Sequence, residues 1–290
     1  MSWRTVMIQG RCKLDYRMGY MVVRSREIKR VFLEEIAVLI IENPAVSFTG
    51  SLLEALVAHK VRVIFCDSKR NPLAELTPHH GSHDCSEKIK AQIAWQESAK
   101  AAMWQRIIRE KIQKQADFLF ELKKEREYAL LQSYLPQVLP ADQTNREGHA
   151  AKVYFNALFG MDFTRGADRP ENAALNYGYA VLLSAVNREI CALGYLTQLG
   201  VFHDNRFNHF NLSCDLMEPF RPLIDRKVVH ACGKEFGKAE KQTLWNVLND
   251  TVFIHGSRQT VLNALRVYVH SVTDALCRNE PEDAEFYTLL

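Results

Sequence analysis

The stretch from Leu199 to Pro222 concentrates side chains that can do chemistry: His203, His209, Asp215 and Glu218 lie among asparagines and aromatics. Asp215 and Glu218 are three residues apart, so a helix would carry both on one face. His203 lies far enough upstream to return to them from a loop. One imidazole with carboxylates suits magnesium or manganese better than zinc, because hard cations want oxygen and the thiols are not grouped. A plainer reading is equally open. A polar loop enters a helix, and the two carboxylates favour the positive end of its dipole.

A second candidate is Glu147, in Thr144-Asn-Arg-Glu147-Gly-His-Ala-Ala-Lys-Val-Tyr-Phe155. Thr144-x-x-Glu147 has the spacing of a capping box, in which the glutamate reaches back to the cap's own N–H. On the residues alone, that role is the expectation. Gly148 tells against it, because glycine inside a helix costs up to about 1 kcal/mol relative to alanine. A glycine beside a carboxylate also permits close approach of a backbone or substrate. A third cluster, His79-His-Gly-Ser-His-Asp-Cys85, offers several ligand types but matches no structural zinc spacing. It is expected to be an interdomain loop.

Two kinds of element must position these groups. From Trp3 to Leu76 short runs rich in β-branched and aromatic residues alternate with Gly10, Gly19, Asn43-Pro44 and Asn71-Pro72. One helix fits among them, capped by Thr49 or Ser51, with Leu52, Leu53, Leu56 and Val57 on one stripe. Beyond Pro78 the period becomes helical, with helices expected over 86–137 (in pieces), 146–159, 172–193, 240–249 and 257–276. The fold class is therefore α+β with two domains. A small β-rich domain spans 1–80, a linker 81–87, and a larger all-α domain 88–290. The acidic tail Glu280-Pro-Glu-Asp-Ala-Glu285 reads as a solvated end.

Composition bounds the function only loosely. The chain has 290 residues with a net charge of +3, too little to announce a nucleic-acid binder. Its charge is nonetheless uneven. Lys88, Lys90, Lys100, Arg106, Arg109, Lys111 and Lys114 outnumber Glu97 and Glu110, and Arg24, Arg26, Lys29 and Arg30 form a second cluster. Solvated helix faces are the plain explanation, and phosphate contacts the functional one. The seven cysteines show no CxxC spacing, which favours reduced thiols. No apolar run approaches a membrane span and the N-terminus lacks a signal core, so a cytoplasmic protein is expected.

Several segments together resemble the CRISPR spacer-acquisition integrase family, its type II branch especially. They are Arg4-Thr-Val, Ile64-Phe-Cys-Asp67 followed by Pro72, Arg146-Glu-Gly-His-Ala-Ala-Lys-Val-Tyr-Phe155, Asn172-Ala-Ala-Leu-Asn-Tyr-Gly-Tyr-Ala180 and Asp215-Leu-Met-Glu-Pro-Phe-Arg-Pro222. They occur in order over nearly the whole chain. The resemblance implies a β-rich N-terminal domain that forms a homodimer and an all-α catalytic domain. It implies assembly with a small partner subunit into a heterohexamer, and work alongside other type II CRISPR proteins. It implies a metal site of Glu147, His203 and Glu218 holding magnesium or manganese. Asp215 is then a ligand, a supporting group or a cap. Many relatives carry aspartate where Glu218 stands.

The activity so implied is strand transfer, in which the 3′-hydroxyl of a short DNA fragment attacks a phosphodiester of a repeat array. One phosphodiester replaces another, so no nucleotide-hydrolysis site is needed, and the chain has no G-x-x-x-x-G-K-[ST] run. The duplex backbone is expected to lie along Arg106, Arg109 and Lys111, with Arg165 and Arg169 reaching phosphates from a glycine-containing loop. Two rivals stand beside this reading: a structure-specific nuclease acting on branched DNA in repair, and a non-catalytic DNA-binding scaffold.

Overall fold

The computed structural model describes residues 4–68, 72–76, 82–231 and 236–289. These fall into two compact units, Met1–Cys85 and Ser86–Leu290.

The first unit is built on β1 (Arg4–Ile8), β2 (Lys13–Arg17), β3 (Tyr20–Arg24), β4 (Ile28–Phe32), β5 (Ile36–Ile41), β6 (Ser47–Phe48), α1 (Gly50–Ala58), β7 (Arg62–Cys66) and β8 (Pro72–Leu76). One sheet has the order β1-β5-β7-β8, the other β4-β3-β2-β6. β5 lies parallel between β1 and β7, and all six of its residues are buried. That is why it reads as an unbroken apolar run rather than an alternating one. Met18 and Gly19 both have positive φ (48° and 82°) at the β2–β3 turn, the backbone that a tight hairpin demands. α1 starts where Thr49 accepts the Leu52 N–H, as the cap expectation required.

The second unit contains α2 (Cys85–Ile93), α3 (Glu97–Glu121), α4 (Glu125–Tyr134), α5 (Arg146–Phe159), α6 (Pro170–Leu193), α7 (Asn211–Met217), α8 (Arg221–Ala231), α9 (Lys238–Trp245), β9 (Thr251–Ile254), β10 (Ser257–Thr260) and α10 (Val261–Arg278). α3 is its spine, with Met103, Trp104, Ile107, Ile108, Ile112, Ala116 and Leu119 all buried. Gly178 of α6 faces α8 so closely that a Cβ would stand 2.4 Å from Ile224 Cγ2.

Two expectations need correction. The C-terminal unit is helical as expected, with a short hairpin inserted. Residues 257–260, read as the start of a helix, pair with 251–254 in a hairpin that turns at His255 and Gly256, both of positive φ. The acidic tail is not a free end. Arg106 donates to the Pro281 and Ala284 carbonyls, Thr288 bridges to Phe253, and Tyr287 is buried with its hydroxyl donating to Pro219 O at 3.0 Å. Among the described residues no helix is long and apolar enough to cross a membrane.

Candidate metal centre

Each acidic side chain arrives by a different local device. Glu147 sits in the first turn of α5, but no capping box forms there. Thr144 donates its hydroxyl to Gln137 O instead. The cap is supplied by Asp142, which accepts the Arg146 and Glu147 N–H groups, each at 2.9 Å. The chain reaches this position through Ala141, Asp142 and Asn145, all with φ near +50°. Gly148 belongs to the same tight entry: a Cβ there would meet Asn145 Oδ1 at 2.7 Å. Freed from capping, the Glu147 carboxylate turns to α3, where Lys111 Nζ lies 2.6 Å from its Oε1.

Glu218 begins a short 3-10 turn, Glu218–Phe220, between α7 and α8. Its Oε2 lies 2.5 Å from the same Lys111 Nζ, and its Oε1 accepts from Arg221 Nε at 2.8 Å. Burial alone would push the Glu218 carboxyl up, but Arg221 and Lys111 outweigh it and hold it below the ordinary carboxylate value. The same balance raises Lys111: burial opposes its charge, and Glu218 and Glu147 overcome it. Arg221 also stacks on Tyr179, 4.5 Å from the ring centre, and Tyr179 donates its hydroxyl to buried Asp225 at 2.5 Å.

His203 comes from the loop between α6 and α7. That loop is folded around Asp215, whose Oδ2 accepts the Val201 and Phe202 N–H groups at 2.6 and 2.9 Å. The His203 N–H reaches Asp215 Oδ1 at 3.2 Å. The His203 ring gives its Nδ1–H to Asp215 Oδ1 at 2.5 Å, which leaves Nε2 as the ring's acceptor. Trp104 stacks flat on Phe202 at 4.5 Å and meets the edge of His203 at 5.6 Å. Trp104 and Lys111 are two turns apart on α3, so one helix face steadies both halves of the site. The His203 pKa is raised, first by its bond to Asp215 and further by the charges of Glu218 and Glu147.

Of the residues picked from the sequence, Glu147 and Glu218 converge on one cation and His203 stands within reach of their charge. Asp215 is fully buried and committed to the loop and the imidazole, which makes it the group that orients His203. His209 contributes its carbonyl, accepting from Thr197. The donor set of two carboxylate oxygens and a carboxylate-backed imidazole fits a hard divalent cation. Among the described residues no three donors already stand close enough to grip an ion; the Lys111 ammonium sits between the two carboxylates. Of the histidine-rich cluster at 79–85, residues 79–81 lie outside the described residues, and Ser82 and Cys85 bond to each other.

The basic residues expected on DNA have other partners. Arg106 is spent on the C-terminal tail, and Lys111 is only 9% exposed inside the acidic pair, too deep to track a duplex backbone. Arg109 donates to Leu135 O but is exposed. Exposed Arg165 is held by buried Asn172 and exposed Asn176 of α6, and Arg169 pairs with Asp162. Arg221, three residues beyond Glu218, was legible as an i,i+3 partner. Lys111 was not, since nothing local announces a contact across 36 positions.

Residues 6–265 match the family model described as CRISPR associated protein Cas1. A CRISPR-associated endonuclease Cas1 of Neisseria meningitidis is 37% identical over 277 residues, covering 93% of this chain and 91% of the relative. A Pyrobaculum aerophilum protein of the same description is 29% identical over 74% of this chain and 78% of its own. Among solved structures, a casposase bound to integration product superposes with TM-score 0.75 at 18% identity, covering 96% of this chain and 91% of that one. A Cas1 protein from Thermotoga maritima gives 0.72 at 15% identity, covering 94% and 97%. The capped Glu147 helix, the Asp215-centred loop and the Glu218 turn thus lie on a shared fold, and the chain belongs to the Cas1 family.

Proposed function

We propose that the chain, as a member of the type II branch, inserts short DNA fragments into a repeat array by metal-dependent transesterification. The observation that carries the proposal is the convergence of Glu147 and Glu218 on one buried cation beside a histidine whose Nδ1 is tied to a carboxylate. Glu147, Glu218 and His203 Nε2 would hold a magnesium or manganese ion. Such an ion lowers the pKa of an attacking hydroxyl and offsets charge developing on the phosphate oxygens.

The fragment's 3′-oxygen bonds to a repeat phosphorus, the repeat strand's own P–O bond breaks, and the proton lost by the attacking hydroxyl is balanced by the one gained by the departing oxygen. Phosphoryl transfer asks chiefly for positioning and electrostatics. Asp215 supplies positioning, by holding the His203 ring and three backbone N–H groups at once. Arg221 supplies electrostatics, by keeping Glu218 ionised. Arg109, Arg165 and Arg169 are the surface cations for phosphate contact. The assembly we infer is a homodimer through the N-terminal unit, joined by a small partner subunit in a heterohexamer. A solved complex with such a partner, the Cas6-RT-Cas1–Cas2 complex, contains the same fold.

Glu147→Ala abolishes strand transfer and leaves duplex binding nearly intact; full strand transfer in that variant overturns the assignment. A second activity, cleavage of branched DNA with water as the nucleophile, is favoured by the word endonuclease in the relatives' descriptions. It shows itself as metal-dependent nicking of a branched substrate without a fragment.

A further inference from the structure

Among the described residues, Lys111 is the group that touches both candidate metal-binding carboxylates. Its Nζ stands 2.6 Å from Glu147 Oε1 and 2.5 Å from Glu218 Oε2. The side chain is largely buried, on the face of α3 that also carries Trp104. Arg221 differs in kind: it donates to the other oxygen of Glu218, so it neutralises without standing between the pair. An ammonium and a divalent ion cannot share that position. Both need the same two oxygens at about 2.0–2.8 Å, and two cations packed there would repel strongly in a site with little water to screen them.

We propose that Lys111 is a tethered internal cation that occupies the divalent-ion position in the metal-free protein and must withdraw before the ion binds. The inference rests on the metal-site reading above. Its consequence is that the acidic pair is never left unpaired: Lys111 holds Glu147 and Glu218 at the right separation while the site is empty, at the expense of metal affinity. A long, flexible lysine suits the exchange. An arginine fork would be harder to displace, and a neutral residue would leave two close carboxylates repelling each other.

The test is a titration of the full-length protein with Mn²⁺ alone, read by calorimetry or by the electron-spin signal of free Mn²⁺. Lys111→Met is expected to bind Mn²⁺ at least tenfold more tightly than wild type, and to lose thermal stability in EDTA that Mn²⁺ restores. Arg221→Met, which removes an equal charge from Glu218 alone, is expected to tighten binding less. Equal or weaker Mn²⁺ binding in Lys111→Met, or an equal gain in Arg221→Met, overturns the proposal.

A second readout uses wild type, so it survives a variant that fails to fold. Acylation of Lys111 by an amine reagent, followed by peptide mass spectrometry, rises several-fold on Mn²⁺ addition if the ammonium withdraws; unchanged labelling contradicts it. Glu147→Gln separates the two layers. If wild type binds no Mn²⁺, or Glu147→Gln binds it as well as wild type, the metal-site reading itself fails and takes this inference with it. If binding needs Glu147 but ignores Lys111, only the competition is wrong.

Discussion

His203 Nδ1 and Asp215 Oδ1 lie 2.5 Å apart, and Asp215 is completely buried behind the ring. The carboxylate therefore sets both the direction of the imidazole and which of its nitrogens faces the site. Removing such a backing group typically costs 10–100-fold in metal affinity. Asp215→Asn is expected to weaken Mn²⁺ binding and strand transfer by about that factor. Strand transfer at wild-type level would mean that His203 is oriented by something else.

Gly200 packs against the same pair. A Cβ at this position would stand 2.3 Å from the His203 carbonyl oxygen and 2.8 Å from Asp215 Oδ2. A backbone carbonyl cannot swing away as a side-chain tip can. Gly200→Ala is expected to destabilise the helical unit by about 1–3 kcal/mol, the usual range for overpacking. Thermal unfolding reads this as a fall of several degrees. An unchanged transition would show that the loop has slack the geometry does not reveal.

The entry of α5 separates two capping schemes. If Asp142 is the cap, Asp142→Ala lowers stability by about 0.5–2 kcal/mol and also depresses strand transfer, because Glu147 is the second residue of that helix. Thr144→Ala loses only the hydrogen bond to Gln137 and is expected to be nearly silent in both. The reverse order in unfolding experiments would restore the capping box.

Asp225 gives the fold a pH signature. Burial pushes its carboxyl from the ordinary 3.8 to about 6, against the hydrogen bond from Tyr179. The folded state therefore holds this proton more tightly than the unfolded chain does. Between about pH 4 and pH 6 the folded state binds more protons, so this group's contribution to stability falls as pH rises through that window. Above it, the cost is on the order of 2–3 kcal/mol. Asp225→Asn removes the titration. It is expected to be more stable than wild type at pH 7.5, with the advantage shrinking toward pH 4. A variant less stable than wild type at pH 7.5 contradicts this.

The elements were largely legible because their periods are unmixed. β5 is a solid apolar run, and α10 repeats Val261, Leu265, Tyr268, Val272 and Leu276 on one buried stripe. What failed to show was decided by pairing partners, near or far, rather than by a segment's own period. Ser257–Thr260 follows its hairpin partner rather than its own helical spacing, and the acidic tail is held by Arg106, donated from another helix. The site was half visible. Carboxylates, histidine and glycines stood out by type and spacing. The Lys111 bridge, the inward turn of Arg106 and the Asp142 cap all depend on how α3 and the α5 entry pack. Thr144 satisfied a local rule and was overruled by a stronger acceptor two residues upstream.

The central claim is that Glu147, His203 and Glu218 form one site for attack by a fragment's 3′-hydroxyl. It is tested most directly by incubating the protein and its partner subunit with Mn²⁺, a supercoiled repeat-bearing plasmid and labelled duplexes ending in either 3′-hydroxyl or 3′-deoxy. Label should enter the plasmid only from the 3′-hydroxyl duplex, only with metal, and not with Glu147→Gln, His203→Ala or Glu218→Gln. Equal incorporation from the 3′-deoxy duplex, or undiminished incorporation by these variants, would contradict the account.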